Sequence, residues 1–474
     1  MDTQRCSTPE MVKYSLGACS ESLIVNSFTA FAMLYYTKAL GLSPEYFGSA
    51  IFLAVIWDAV TDPIMGHITD NTRSRYGKRH PYILFGGMMM LVCYFFIWNV
   101  PEFFKSSMLL LFWYLLAINL LLRTTSTMFI VPYTALGFDM CSDYADRSKI
   151  QGIRNSLNMA ANLFGCAMAW VIFFGGSADT VPAINVRQNY IAMGTTFTMI
   201  SVVFLFLMLG LTRKYIRDSR RDEHCSSEVA AFFRDFKQIV LDTNAQCVFL
   251  FVFVLLMGIV LVSSFQMYVF EDFMRFSGWQ KTLAHGATMI GMGVGYLFGS
   301  TLVRRFDKKK AICIGLCWSV MCEAVLALCF LTGFVKPGQA VGGFPAALVL
   351  YSMLHGAYWL GNGVIMTVTV SMMADISEIH RIVAGVNKNG SYAAMYSFST
   401  QVAIAFGILL SGYSLKWIGF VSGPDAVPAP EVIGRIFAMA HIFGPLVSLM
   451  AMGLILKYPV NKAFIEVLRG KQTS

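Results

Sequence analysis

The run Ile56-Trp57-Asp58-Ala59-Val60-Thr61-Asp62-Pro63-Ile64-Met65-Gly66 sets two carboxylates four residues apart in an otherwise apolar stretch. Four residues are about one helical turn, so on a helix both acids share a face. The apolar stretch around them, roughly 44–69, exceeds the ~20 residues that cross a bilayer. A carboxylate at that depth costs about 2.5–3.5 kcal/mol on insertion scales unless something compensates it. Holding a monovalent cation is the simplest use for two of them. The pattern is the one expected of an ion site in a cation-driven transporter.

Composition places the whole chain in the same class. Mean hydropathy is +0.61, and only 13% of residues are charged, about half the share of a soluble globular chain. Residues Met1 to Lys13 are polar, so no cleavable leader is expected there. The net charge of +9 sits in short loops between apolar runs. The positive-inside rule accounts for it without a nucleic-acid partner. Of the 11 cysteines none forms a Cys-x-x-Cys pair, and Cys313 and Cys317 share a face without a His or carboxylate beside them. They read as small hydrophobes rather than metal ligands.

Twelve apolar spans are expected, at about 12–38, 44–69, 81–100, 107–136, 149–176 and 189–212, then 246–270, 283–303, 311–334, 345–374, 390–417 and 432–457. This divides the chain into a six-helix bundle at 1–213, a linker at 214–243 and a second six-helix bundle with a tail at 244–474. Within the linker Val229, Phe232, Phe233 and Phe236 suggest a short amphipathic helix on the membrane surface. The basic clusters Arg73 to Arg79, Arg304 to Lys310, the linker and the tail fall on one side of the membrane, whereas the other side carries fewer, such as Lys38, Lys105 and Lys336. Both termini are therefore expected in the cytoplasm, in a cell (inner) membrane. Gly66-His67-Ile68-Thr69-Asp70 before Arg73 and Gly299-Ser300-Thr301-Leu302-Val303 before Arg304 form a weak repeat, each after the second span of its half. Gly291-Met292-Gly293-Val294-Gly295 lies inside a span with no strand before it, so close helix packing explains it better than a nucleotide loop.

Several motifs carry a family likeness. Asp58-Ala59-x-x-Asp62-Pro63-x-x-Gly66, followed by Thr72-x-Ser74-Arg75-x-Gly77-Lys78-Arg79-x-Pro81, resembles the glycoside–pentoside–hexuronide:cation symporters. These are the melibiose-carrier branch of the major facilitator superfamily. Pro132-Tyr133-Thr134-Ala135-Leu136-Gly137, Asp146-Arg147 leading to Arg154, and Met373-Ala374-Asp375 are similar to that family as well. The resemblance spans nearly the whole chain. It implies an all-α membrane protein of the major facilitator fold, with two six-helix halves around a central cavity, working as a monomer. It further implies that Asp58, Asp62 and Thr127 hold Na⁺, or H⁺ or Li⁺, and that Arg154 organises the cytoplasmic side. No cofactor is implied. The sugar-binding acids of the melibiose carrier fall at Ser22 and Ile130, its tryptophan at Thr134, and its eleventh-helix lysine at Gln401 or Ile404. The coupling residues are kept and the galactoside set is not.

Charge arithmetic away from the ends of the first-half spans sets Glu21, Asp58 and Asp62 against Arg123 and Arg154. One formal negative charge is in excess, and one bound monovalent cation would neutralise it. The alternative is that both aspartates only pair with the two arginines and lock helices together. Glu21 either contacts substrate or pairs with Arg123 or Arg154; Arg123 either meets an anionic substrate or balances a carboxylate. The candidate substrate contacts are Glu21, Ser22, Asn26, Arg123, Arg154, Asn158, Tyr358, Trp359, Asn362 and Gln401, with Asn119 a weaker one. Glu323 is the chief intramembrane charge of the second half, and His355 reads as a satisfied core histidine. The candidate cytoplasmic gate is Asp70, Arg75, Lys78, Arg79, Asp146, Asp375 and Arg381, with Asp139 and Asp143 as further partners for the basic loop. Trp279 and Trp417 read as interface anchors. A glycoside, oligosaccharide or uronide is the expected cargo. The alternatives are a lysolipid or other organic anion in the same scaffold, and a sensor that binds without transporting. No catalytic set is present, so no enzyme is expected.

Overall fold

The structure is a computed structural model and describes residues 7–140, 144–175, 182–216, 242–339, 345–384 and 389–459. The amphipathic linker helix expected around 229–236 and the side chains of Asp70, Asp139, Asp143, Asp146 and Arg381 fall outside that description.

Among the described residues twelve helical rods follow one another. In the first half they are α1 (Thr8–Leu34, continued by Tyr35–Ala39), α2 (Pro44–Asp70), α3 (His80–Trp98), α4 (Met108–Met140), α5 (Tyr144–Asn162, continued by Leu163–Ala167 and Met168–Ile172) and α6 (Arg187–Thr212). In the second they are α7 (Thr243–Tyr268, continued by Val269–Phe273), α8 (Gly278–Phe306), α9 (Lys308–Leu331), α10 (Ala346–Ala384), α11 (Asn389–Trp417) and α12 (Pro430–Ala438, Met439–Phe443, Gly444–Met450 and Met452–Leu456). Two compact units result: Met1–Val229 with Val421–Val427, and Ala230–Phe420 with Pro428–Ser474. Among the described residues nine helices are apolar and long enough to cross a membrane on their own composition. The other three, α1, α5 and α8, carry polar residues along their length, among them the part-buried Glu21 and Arg154 and the buried His285. Large apolar side chains such as Phe164, Met199, Leu297 and Leu328 are exposed, as a lipid-facing surface requires. Trp279 and Trp417 are exposed at the start of α8 and the end of α11, where an interfacial anchor belongs.

In the first unit α2 and α3 both pack on α4, and α1 packs on α5 and α6. Gly86 of α3 lets α4 come so close that a Cβ there would lie 2.7 Å from the Met128 carbonyl carbon. Tyr14 of α1 and Tyr133 of α4 stack with centroids 4.6 Å apart, each hydroxyl donating to the other's backbone carbonyl at 2.9 and 3.1 Å. Gly17 makes room for the Tyr133 ring and Gly137 for the Tyr14 hydroxyl. This is the physical content of the Tyr133 to Gly137 segment of the motif. At the membrane edge Glu102 is held below the ordinary carboxylate range by hydrogen bonds from Lys105 and Arg187.

In the second unit α10 packs on α8 and α9, and α7 packs on α11 and α12. The glycine stripe of α8 sets its contact with α10. A Cβ on Gly291 would fall 2.0 Å from the Gly356 carbonyl oxygen, and one on Gly295 would fall 2.1 Å from that of Leu360. Backbone cannot yield as a side chain does, so Gly291→Val is expected to cost at least the ~1–3 kcal/mol of ordinary overpacking. Most of the protein should leave the monodisperse peak in fluorescence-detected size exclusion. Gly293→Ala, which meets nothing within 4 Å, should behave as wild type.

Candidate functional site

The two acids of α2 face α4 in matched register. Thr127 Oγ1 lies 2.9 Å from Asp58 Oδ1 and 2.8 Å from Asp62 Oδ1. One turn earlier on α4, Arg123 Nη1 is 3.3 Å from Asp58 Oδ2. Thr124 accepts from the Trp57 indole at 2.9 Å. The spacing of four on both helices aligns these rungs along one seam. Asp58 is buried, while Asp62 and Arg123 are half-buried. A threonine hydroxyl has one proton and can donate to one carboxylate only. The second close oxygen contact requires either a proton on an aspartate or a cation among the three oxygens. All three are hard donors suited to Na⁺, Li⁺ or a proton.

Arg154 is engaged elsewhere. Its Nη2 meets Glu21 Oε2 at 3.1 Å, its Nη1 donates to Thr134 Oγ1 at 3.1 Å, and its guanidinium lies 5.0 Å from the Tyr133 ring centroid. Of the pairs the helix-locking alternative invokes, Asp58–Arg123 is present, whereas Arg154 belongs to a separate α1–α4–α5 junction. Glu21 is thus set against Arg154 and Asp58 against Arg123.

The remaining candidates divide into groups. Ser22 Oγ donates to the backbone oxygen of Asn158 at 2.7 Å, and Asn26 Nδ2 donates to Ser22 at 2.8 Å, which makes a ladder from α1 to α5. Asn119 is fully buried and neither side-chain polar atom has a hydrogen-bond partner among the described residues. It stands one turn before Arg123, on the same face of α4. In the second unit Tyr358, Trp359 and Asn362 share α10, and Asn362 Nδ2 donates to the Tyr358 carbonyl at 3.1 Å. Gln401 sits apart on α11, half-buried. On the gate side Arg79 Nη1 donates to Thr69 Oγ1 at 3.0 Å, Arg75 reaches the Tyr76 hydroxyl at 2.5 Å, and Lys78 is half-buried. Asp375 pairs with Lys308 at 2.6 Å, and Lys308 also donates to the Ser371 carbonyl at 3.0 Å. That joins the start of α9 to α10. The partners expected for the first-half loop lie outside the described residues.

Residues 13–462 match the family model of MFS/sugar transport proteins. A glucuronide carrier protein homolog from Escherichia coli is 23% identical over 98% of this chain and 95% of its own. A sodium-dependent lysophosphatidylcholine symporter from Danio rerio is 24% identical over 97% of this chain and 88% of its own. Among solved structures, a bacterial homologue of the human drug peptide transporters superposes with a TM-score of 0.65 at 12% identity, covering 98% of this chain and 99% of that one. A bacterial homologue of the iron transporter ferroportin gives 0.63 at 12% identity, covering 96% and 99%. At such identities these two show a common fold.

Proposed function

The chain belongs to the MFS/sugar transport family, and we propose that it is a symporter that couples a monovalent cation to the import of a sugar-like solute. It is a multi-pass transporter of the major facilitator fold and not an enzyme. The reading rests on one observation: two carboxylates of α2 converge on the single hydroxyl of Thr127, 2.9 and 2.8 Å away. A cation at Asp58, Asp62 and Thr127 would share their oxygens and tie α2 to α4. Binding a cation and cargo together favours the states that open to one side and then the other, by alternating access. Arg123, half-buried and 3.3 Å from Asp58, would be the group to meet the carboxylate of a uronide. The basic loops support a cell (inner) membrane location with both termini and the linker in the cytoplasm. The protein works as a monomer.

The lysophosphatidylcholine symporters among the relatives keep a second cargo in view, since Arg123 would serve a phosphate as well as a carboxylate. Counterflow in proteoliposomes separates the two. A panel of glycosides and uronides is expected to exchange, faster with Na⁺ or with acid outside. Exchange of lysophosphatidylcholine alone would move the cargo assignment to lipids. Binding without exchange of either class would make the protein a sensor.

A further inference from the structure

A second ionisable cluster lies in the interior of the second unit, remote in sequence from the aspartate pair. Glu323 of α9 is fully buried, as are His355 of α10 and His441 of α12. The Glu323 carboxylate receives both imidazoles through Nδ1, at 2.7 Å from His355 and 2.6 Å from His441. The wide turn Met439–Phe443 in α12 carries His441 at its centre, and such turns re-aim side chains that a regular helix would direct elsewhere. The outer face of each ring is engaged as well. His441 Nε2 is 3.2 Å from the Tyr351 hydroxyl. His355 Nε2 is 2.8 Å from Gln266 Oε1 of α7 and accepts from Trp359 Nε1 at 3.2 Å.

Charge fixes the proton count. A buried carboxylate with two neutral imidazoles carries one uncompensated negative charge, an expensive state in an apolar interior. One added proton makes the cluster neutral. Among the described residues the ion pairs of Glu323 are with these two histidines alone. The other titratable groups that face the cluster are Tyr351 and Tyr358 of α10, Cys322 of α9 and His285 of α8. At neutral pH the tyrosines and the cysteine are uncharged and an imidazole is mostly neutral, so none supplies the positive charge that would compensate Glu323.

The neighbours of His355 Nε2 are of opposite kinds. The Trp359 indole can only donate, so it needs a lone pair on Nε2; the Gln266 oxygen can only accept, so it needs a proton there. Both cannot be satisfied at once. We propose that Glu323, His355 and His441 form a proton-binding site, and that its occupancy decides whether His355 Nε2 accepts from Trp359 or donates to Gln266. The loaded site gives up the indole contact, and the empty site restores it. Trp359 is half-buried, so the exchange is passed from a sealed cluster to a residue nearer the surface. A metal ion fits this arrangement poorly. Nitrogen–oxygen separations of 2.6 and 2.7 Å are hydrogen-bond distances, whereas ligands around a zinc ion with bonds of about 2.0 Å stand further apart. The inference concerns a site distinct from the aspartates and holds whatever the cargo proves to be.

The test uses the full chain in lipid nanodiscs, with ¹⁵N-labelled histidine and tryptophan, titrated from about pH 5 to about pH 9, the interval that brackets an unperturbed imidazole. The Trp359 indole signal, assigned by its loss in Trp359→Phe, is expected to shift in step with protonation of one ring of the cluster. Glu323→Gln should abolish both changes. A Trp359 signal that stays fixed across the titration in wild type overturns the proposal, and this reading does not need any variant of the cluster to fold. A pH response that survives in Glu323→Gln overturns it too. So does saturable stabilisation of wild type by Zn²⁺ that His355→Gln removes, which would make the cluster a metal site.

Discussion

Asp62→Asn abolishes cation-stimulated uptake and leaves a folded protein in the membrane. Asparagine keeps the shape of the side chain and a hydrogen bond to Thr127 Oγ1, 2.8 Å away, but removes the charge that makes the three oxygens a cation site. Asp58→Asn has the same effect on uptake. It is the less clean test, because Arg123 at 3.3 Å then loses its carboxylate partner. The ion itself can be read without knowing the cargo. At about 100 times its Kd, Na⁺ stabilises a protein that binds it only when folded by about 2.7 kcal/mol. Wild type should therefore melt at a higher temperature in NaCl than in choline chloride, and Asp62→Asn should melt alike in both. Thr127→Val keeps both acids and loses one neutral ligand, so it weakens the sodium response without erasing it. Sodium-stimulated uptake in both aspartate variants would defeat the assignment.

How far a site could be read in advance followed how local it is. Asp58 and Asp62 lie a turn apart in one span, and helical periodicity alone puts them on one face. Thr127 is 65 residues from Asp62; it was reached through the family resemblance, and nothing in its own neighbourhood marks it. The Trp57–Thr124 rung of the same seam was missed, because an indole near a threonine in another span has no pattern. His441 was missed outright: it is 118 residues from Glu323, and the wide turn that aims it leaves no trace in composition. The reading of His355 as a satisfied core residue describes its hydrogen bonds but not the charge it shares. The twelve rods were readable from hydropathy even where α1, α5 and α8 are too polar to qualify on composition by length. Some of their polar residues pair with each other, as Glu21 does with Arg154, and the spacing of neighbouring spans and loops supplied the count.

Arg154→Ala is expected to destabilise the first unit more than any loss of a single hydrogen bond would explain. Glu21 and Arg154 have side chains only 17% and 14% exposed. Removing one member of a buried pair leaves the other charge without compensation, at about 3–5 kcal/mol. Arg154 also donates to Thr134 and lies against the Tyr133 ring, which itself interlocks with Tyr14. Its loss therefore loosens α1, α4 and α5 together. Lysine is a poor replacement, since a point charge cannot serve the carboxylate, the hydroxyl and the ring face at once. The double variant Glu21→Gln with Arg154→Gln removes both charges and should melt above either single variant, which would give a positive coupling in a double-mutant cycle. Melting of the purified protein measures all four corners. The same cycle separates the two roles open to Glu21. If the carboxylate is a helix tie, Glu21→Gln lowers the melting temperature and the double variant recovers part of it. If it is a cargo ligand, Glu21→Gln loses solute binding with the melting temperature unchanged, and Arg154→Gln adds its own loss independently.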